Sequence, residues 1–385
     1  MPLAQLPQQT PAVIGILGRL NLAASLLFLI GVSLIYGVAG TLNMADLAAR
    51  IPAIRAEDRA LLEAGAGILG IAFLVKAGMW PLCFWLPSTY AVIPPPVAAI
   101  FAILTKVGAY IILRLCLLLF GDGAGASAQF GREWLLVGGM ATVAFGMIGC
   151  LASQDMTRLA AFSVLVSSGT VLAAIGMGQV GVTGAALFYL ISSTLGLGAF
   201  FLLIELVERG REPGADVFAV TREIYGEADE LDDTEEVGIA IPATIGILGL
   251  AFIGCALVIS GLPPLSGFIA KFAILTSVLN SPAGAGSIAG RILLPLLILS
   301  GLVALIALTR AGIRAFWVSP DRSVPRVRLI EMAPVAILLL LCALQTIEAG
   351  PVMRFMQATA QSLHTPHDYI HGVLGSAVER PKGPT

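Results

Sequence analysis

The chain has 385 residues, of which 57% are hydrophobic and only 12% are charged, and its mean hydropathy is +0.93. Soluble domains carry about 25% charged residues, so half of the charge expected on a water-soluble surface is missing. The formal net charge of −2 excludes the basic excess of a nucleic-acid-binding protein, and the high hydrophobicity excludes a disordered chain. The composition is that of an integral membrane protein, which has the lipid bilayer as a partner.

Long uncharged runs recur along the chain, each near the length of about 20 residues that a helix needs to cross a membrane. They predict spans at 20–42, 64–86, 95–119, 134–153, 159–178, 183–205, 239–281, 290–312 and 331–350. The long run at 239–281 carries a Gly/Pro break, so it is one broken crossing or two separate ones. We therefore predict an all-α, polytopic transmembrane helix bundle of about 9–10 spans with two discontinuous helices.

Charge divides the chain into regions. They are a polar N-terminal segment at 1–19, a transmembrane region at 20–204, an acidic hydrophilic loop at 205–238, a second transmembrane region at 239–350 and a polar tail at 351–385. The acidic loop holds 12 of the 24 acids and only three arginines. Such a block is typical of a solvated, flexible loop, and it could also concentrate cations at the membrane surface. A small excess of basic residues on one side of the predicted spans favours a cytoplasmic position for this loop.

Three of the four lysines lie inside apolar spans. Lys76 has 12 uncharged residues before it and 29 after it, Lys106 lies midway along 95–119, and Lys271 has 34 uncharged residues before it and 19 after it. A charge at the bilayer centre costs roughly 2.5–3.5 kcal/mol on insertion scales, so intramembrane ionisable residues indicate ion or proton pathways. Lysine also loses its proton more readily than arginine. The alternative, a long side chain that reaches the membrane surface, suits Arg114 better.

Helix-breaking residues follow the first of these lysines and precede the third. They are Trp80, Pro81, Pro87, Gly261, Pro263, Pro264 and Gly267. Proline removes a backbone donor and frees the carbonyl one turn earlier. Backbone groups without a hydrogen-bond partner in their own helix are tolerated at membrane depth only inside protein or beside a water-filled cavity. Two interrupted helices in corresponding halves of a chain are typical of a transporter site.

Three segments carry a specific resemblance: Gly67–Leu115, Ser153–Gly169 and Ser260–Leu275 (SGLPPLSGFIAKFAIL). They resemble the antiporter-like membrane subunits that Mrp-type multisubunit cation/proton antiporters share with the proton-pumping arm of respiratory complex I. The match is closest to the D-type subunits of the Mrp/Pha antiporters and covers nearly the whole chain. It implies a multi-pass protein of the bacterial inner membrane, which works with other membrane subunits on monovalent cations and protons.

The resemblance implies roles for individual residues. Lys76, Lys106 and Lys271 would relay protons in a row through the membrane, with water between them. Many relatives carry histidines in the helices that here contain Ser167, Ser192 and Ser193. Hydroxyls orient water and pass a hydrogen bond, but they do not store a proton at physiological pH. These serines are the candidate relay groups, and Glu205 is a candidate point at which protons enter from the cytoplasm.

The chain departs from the resembled family at its first span. Family members begin with further helices, one of which carries a glutamate that pairs with the first lysine, whereas 20–42 contains no acid. We therefore expect a chain that lacks those leading helices, with Lys76 deprived of its usual partner. The five cysteines lie at least 33 residues apart, which indicates neither a metal motif nor a disulfide framework. We expect no metal and no cofactor.

The leading hypothesis is a membrane subunit of a Na⁺ or K⁺/proton antiporter for cation efflux and pH homeostasis, a secondary transporter and not an enzyme. The closest alternative is a proton-pumping membrane subunit of complex I. A third hypothesis, motivated by the missing helices, is a truncated remnant that assembles but does not transport.

Overall fold

The computed structural model describes residues 6–209, 243–281, 287–316 and 329–375, and these ranges contain helices and turns but no strand. The helices are α1 Leu6–Ala39, α2 Met44–Arg50, α3 Ala56–Ala77, α4 Trp85–Tyr90, α5 Pro95–Leu119, α6 Arg132–Ala152, α7 Met156–Met177, α8 Val180–Arg209, α9 Ala243–Ser260, α10 Ser266–Asn280, α11 Ile288–Phe316, α12 Leu329–Ile347, α13 Ala349–His364 and α14 His367–Gly375. Most of the acidic loop predicted at 205–238 lies outside the described residues.

Eight of the described helices are long and apolar enough to cross a membrane, namely α1, α3, α5, α6, α7, α8, α11 and α12. The apolar helices α9 and α10 are shorter, and the break between them lies where the sequence predicts it. The predicted all-α, polytopic bundle is confirmed.

The largest differences from the predicted boundaries are at the start of α1 and the end of α3. Helix α1 begins at Leu6, so the part of the predicted polar segment from residue 6 onward is helical. Helix α3 ends at Ala77, although the predicted span runs to residue 86. The cause is Gly78, which has a φ of +71° and closes the helix with a backbone hydrogen bond to Val75. Glycine adopts this left-handed conformation without the steric cost that a Cβ brings.

Helices α7 and α8 form the centre of the bundle. All residues of α7 except Arg158 are buried, and α8 contacts α5, α7, α9, α10, α12 and α13. Small residues let α6 approach α7 closely, because a Cβ on Gly139 would lie 2.4 Å from the backbone nitrogen of Ala173. This is the usual means by which membrane helices pack. Apart from Arg158, the polar side chains of α7 and those in the middle of α8 therefore face protein and not lipid.

The end of the chain folds back onto the bundle. The Nε2 atom of His364 at the end of α13 lies 3.0 Å from the Oγ1 atom of Thr183 on α8. The Arg114 guanidinium lies 4.6 Å from the ring centre of Tyr369 in α14, which is a cation–π contact. The predicted polar tail therefore contains two helices within the part that the structure describes.

Candidate functional site

Lys106 lies in the middle of α5, and only 2% of its surface is exposed. Its Nζ atom donates a hydrogen bond to the Oγ atom of Ser167 on α7. The Ser167 hydroxyl in turn donates to the carbonyl oxygen of Val164 at 3.0 Å. A hydroxyl can accept and donate at the same time, so Ser167 is able to pass on a proton that it receives. The structure thus brings two of the predicted site residues into direct contact.

Lys271 lies in α10 and is 6% exposed. Its Nζ atom donates to the carbonyl oxygen of Ser260, the last residue of α9, at 2.9 Å. The last carbonyls of a helix have no partner within the helix and carry the negative end of its dipole, which suits a lysine ammonium. Gly261 turns the chain there with a φ of +76°. The lysine and the second helix break therefore form one structural unit.

The first helix break is also satisfied by protein groups. The carbonyl oxygen of Ala77 accepts from the Ser168 hydroxyl, and that of Val75 accepts from the indole nitrogen of Trp85 at 3.1 Å. The backbone nitrogen of Trp80 donates to the Oγ1 atom of Thr142 at 2.8 Å. Because these polar groups have partners, the irregular backbone is compatible with membrane depth.

The predicted breaking residues differ in their positions. Pro81 lies between α3 and α4, and Pro263 and Pro264 lie between α9 and α10. Pro87, however, lies in the first turn of α4, where its missing N–H would have no helical partner in any case. Gly267 lies in the first turn of α10, where a Cβ would be 2.0 Å from the carbonyl oxygen of Val258. In this structure, the missing side chain of Gly267 lets α10 approach α9 closely.

Lys76, the penultimate residue of α3, is exposed on the surface of the described chain. Its Nζ atom donates to the Oδ1 atom of Asn21 on α1. Within the described ranges, Lys76, Lys106 and Lys271 form no ion pair. The sequence correctly indicates that the first span offers no acid, but it gives no sign that the amide of Asn21 takes that place.

A small cavity, with room for about one water molecule, lies among helices α6, α7, α8, α9 and α11. Its polar lining consists of Cys150, Ser163, Ser167, Tyr189, Ser192, Ser193 and Ser300. A polar cavity of this kind holds water when it offers several hydrogen-bonding partners. Among these residues, only Ser167, Ser192 and Ser193 were predicted. The others are small polar residues in apolar helices, and no motif distinguishes them.

The cavity lining touches the contact of one buried lysine and the helix that carries the other. It includes Ser167, the acceptor for Lys106. It also includes Ser192, whose Oγ atom lies 2.8 Å from that of Ser266, the first residue of α10. Glu205 is partly buried three turns further along α8 and does not line the cavity.

The described residues contain no group of three His, Cys, Asp or Glu side chains that could hold a metal. All five cysteines are free thiols.

Comparison with known proteins decides the family. Residues 9–295 match the family described as NADH:quinone oxidoreductase/Mrp antiporter, TM. The chain belongs to this family. As a member of the NADH:quinone oxidoreductase/Mrp antiporter family, it is a multi-pass membrane protein, and its relatives are subunits of larger assemblies.

Two relatives in this family bear out the resemblance to the D-type subunits. One, from Rhizobium meliloti (strain 1021), is named as a probable K⁺/H⁺ antiporter subunit of type D. It is 61% identical over 360 residues, which cover 92% of this chain and 67% of the relative. The other, from Bacillus subtilis (strain 168), is named as the D-type Na⁺/H⁺ antiporter subunit. It is 33% identical over 360 residues, which cover 92% of this chain and 66% of the relative. The chain thus spans about two thirds of the length of these relatives.

Solved structures of the NADH:quinone oxidoreductase/Mrp antiporter family share the fold. A chain of the Mrp complex from Dietzia sp. DQ12-45-1b superposes with a TM-score of 0.74 at 22% identity, covering 94% of this chain and 70% of that one. A chain of respiratory complex I from Thermus thermophilus with bound NADH gives 0.70 at 20% identity, covering 92% and 69%. The fold is therefore shared with chains of both the Mrp complex and respiratory complex I.

Proposed function

We propose that this chain is the D-type membrane subunit of a multisubunit monovalent cation/proton antiporter and that it carries the protons. The observation that supports this role is the hydroxyl-lined cavity, whose wall includes the acceptor for Lys106 and the two residues that precede the acceptor for Lys271. The relatives named as K⁺/H⁺ and Na⁺/H⁺ antiporter subunits support the ions proposed. The chemistry is transport and not catalysis, and it needs no cofactor.

In the proposed relay, lysines store protons and hydroxyls pass them on. The Lys106 ammonium gives a proton to the oxygen of Ser167, while the Ser167 hydroxyl turns from the Val164 carbonyl and gives its own proton to water in the cavity. From there a proton reaches the neutral amine of Lys271 through water or through the adjacent hydroxyls of Ser192 and Ser266. Each hydroxyl gives up one proton as it accepts another, so no charge remains on it.

The cations take a different route, because ammonium groups repel them. We assign that route to the partner subunits. Lys76 supports such an assembly, since it is exposed on the described chain and a lysine at membrane depth is costly when it faces lipid. In the complex we expect this face to contact another protein segment.

The experiment measures cation-induced collapse of a pH gradient in everted membrane vesicles that contain the complete subunit set with this chain. We expect K⁺ or Na⁺ to collapse the gradient with the native chain and to have no effect with Lys106→Met, which keeps the side-chain length and removes the proton-carrying group. Arg50→Ala is the control, because Arg50 is an exposed residue that pairs with Asp46 and the carbonyl of Ala39, away from the cavity. Full activity of an assembled Lys106→Met complex would refute the relay.

A second candidate is a proton-pumping subunit of a complex I-type assembly, which the TM-scores of 0.70 with complex I and 0.72 with an archaeal respiratory membrane complex favour. Purification of the native complex distinguishes the two candidate functions. A redox arm would accompany a subunit of a complex I-type assembly, whereas other antiporter subunits would accompany a D-type antiporter subunit. A complex that assembles but moves no ions would indicate the remnant hypothesis.

A further inference from the structure

Helix α11 passes directly over the second helix break. A Cβ on Gly301 would lie 2.8 Å from the carbonyl oxygen of Ser260 and 3.7 Å from the Nζ atom of Lys271, whereas ordinary contacts lie at 3.4–4 Å. The nearest obstacle is a backbone oxygen, so it cannot turn aside as the end of a flexible side chain can. Helix α11 reaches this position only because residue 301 has no side chain.

Gly301 also lies at the edge of the cavity. Its neighbour Ser300 lines the cavity, as do Val258 and Ile259, which precede Ser260 in α9. The contact between α11 and α9 at Gly301 is therefore where the cavity wall meets the lysine of the second break. No motif in the sequence marks this glycine, because it lies outside both breaks.

We propose that Gly301 is a positioning residue for proton transfer at Lys271, an inference that rests on the proposed function. Because Gly301 has only a hydrogen atom in place of a side chain, the Ser260 carbonyl can stay in the position in which it holds the Lys271 ammonium beside the cavity. A methyl group at residue 301 forces either the carbonyl or α11 to move, and both movements separate the ammonium from its acceptor or from the cavity. A displacement of about 1 Å is enough to slow a transfer step by on the order of a hundredfold.

The first test measures antiport with Gly301→Ala in everted vesicles that contain the complete subunit set. We expect the maximal rate to fall at least about tenfold while the KM for the cation stays within about twofold, since the cation route is untouched. The matched control is Gly249→Ala in α9, where a Cβ meets nothing within 4 Å. A native maximal rate in Gly301→Ala, with Lys271→Met inactive, would overturn the proposal and leave the proposed function standing.

The second test does not depend on transport. Thermal unfolding of the purified complex is measured for the native chain, Gly301→Ala, Lys271→Met and the double variant. If Gly301 acts through Lys271, the substitution lowers the Tm of the native complex more than that of the Lys271→Met complex, because the ammonium–carbonyl contact is already absent there. Equal losses in both backgrounds would show a packing role alone and overturn the proposal.

The two tests distinguish a failure of the proposed function from a failure of the role proposed for Gly301. If the native complex shows no antiport, the proposed function is wrong, and the Tm comparison still decides whether Gly301 and Lys271 are coupled. If Gly301→Ala prevents assembly only when Lys271 is present, the coupling is supported. Failure to assemble in both backgrounds contradicts it.

Discussion

The ammonium nitrogen of Lys271 lies 2.9 Å from the carbonyl oxygen of Ser260, eleven residues earlier and across the second helix break. A carbonyl accepts a hydrogen bond but has no proton to pass on. Lys106, by contrast, is held by the Ser167 hydroxyl, which can do both. The two buried lysines are therefore not equivalent. In the proposed relay, Lys106 reaches the cavity through a hydroxyl that can pass on a proton, whereas Lys271 exchanges its proton with water or a neighbouring hydroxyl.

Ser167→Ala tests the connection between Lys106 and the cavity. A hydrogen bond to a charged group contributes about 1.5–3 kcal/mol, so its loss in the transfer step should slow antiport by ~10–100-fold. The measurement is the initial rate of cation-induced gradient collapse, normalised to the amount of assembled complex. Ser88→Ala is the matched control, because Ser88 is exposed and its hydroxyl donates only to the backbone carbonyls of Phe84 and Trp85 among the described contacts. An undiminished rate in Ser167→Ala would show that the proton bypasses this hydroxyl.

Gly261→Ala tests the geometry of the second break. Gly261 has a φ of +76°, and a Cβ there would lie 2.7 Å from the Cδ atom of Lys271. A non-glycine residue in this conformation costs on the order of 1–3 kcal/mol, so the Tm of the purified complex should fall. Gly249→Ala serves again as the control and should leave the Tm unchanged or slightly raised, because alanine favours a helix. Equal Tm values for the two variants would contradict the assigned strain.

The sequence predicts those features that depend on residue type along the chain. Lysines in uncharged runs and the Gly/Pro clusters locate Lys106, Lys271 and both breaks. It does not reveal the acceptor for Lys271, because every residue has a backbone carbonyl and only the folded chain selects that of Ser260. Asn21 was overlooked for a related reason, since an amide carries no charge and lies 55 residues from its partner Lys76.

Pro87 shows what a local pattern leaves open. A proline in an apolar run predicts a break, yet the same residue is compatible with the first turn of a helix, and this is where it lies. The residue at which α4 starts depends on where Gly78 ends α3 and on the tertiary contacts of the residues after Gly78. A local sequence pattern does not contain these contacts. The cavity is likewise a product of packing, because its polar residues come from several helices.

The docking of α13 on α8 should weaken on acidification. Burial lowers the pKa of His364 below its usual 6.5, and Arg132 acts in the same direction while Asp122 opposes it. When α13 is released, His364 titrates near 6.5 again, so the released form takes up the proton first as the pH falls. The stabilising contribution is therefore complete above about pH 6.5 and is lost below it. Amide hydrogen exchange of 349–364, corrected for intrinsic rates, should be faster at about pH 5.5 than at about pH 7.5.

The substitution His364→Gln removes the titrating group and should abolish this difference in exchange between the two pH values. His371→Gln is the matched control, since His371 is exposed in α14 and should leave the difference intact. If His364→Gln retains the full pH dependence, another group controls the docking. Cys116, Asp122 and Arg132 line the cavity beneath His364 and are the next residues to substitute.

Asn21 and Lys76 should act as one unit in transport. The amide is the hydrogen-bond partner of the Lys76 ammonium in the described structure, so Asn21→Leu leaves that ammonium without an acceptor. We expect Asn21→Leu to lower the antiport rate by ~10-fold or more, and the double variant with Lys76→Met to be no slower than Lys76→Met alone. Ser25→Ala, one turn further along α1 and exposed, is the control and should retain the native rate. Losses that multiply in the double variant would show that Asn21 acts independently of Lys76 and would contradict the view that the two act as one unit.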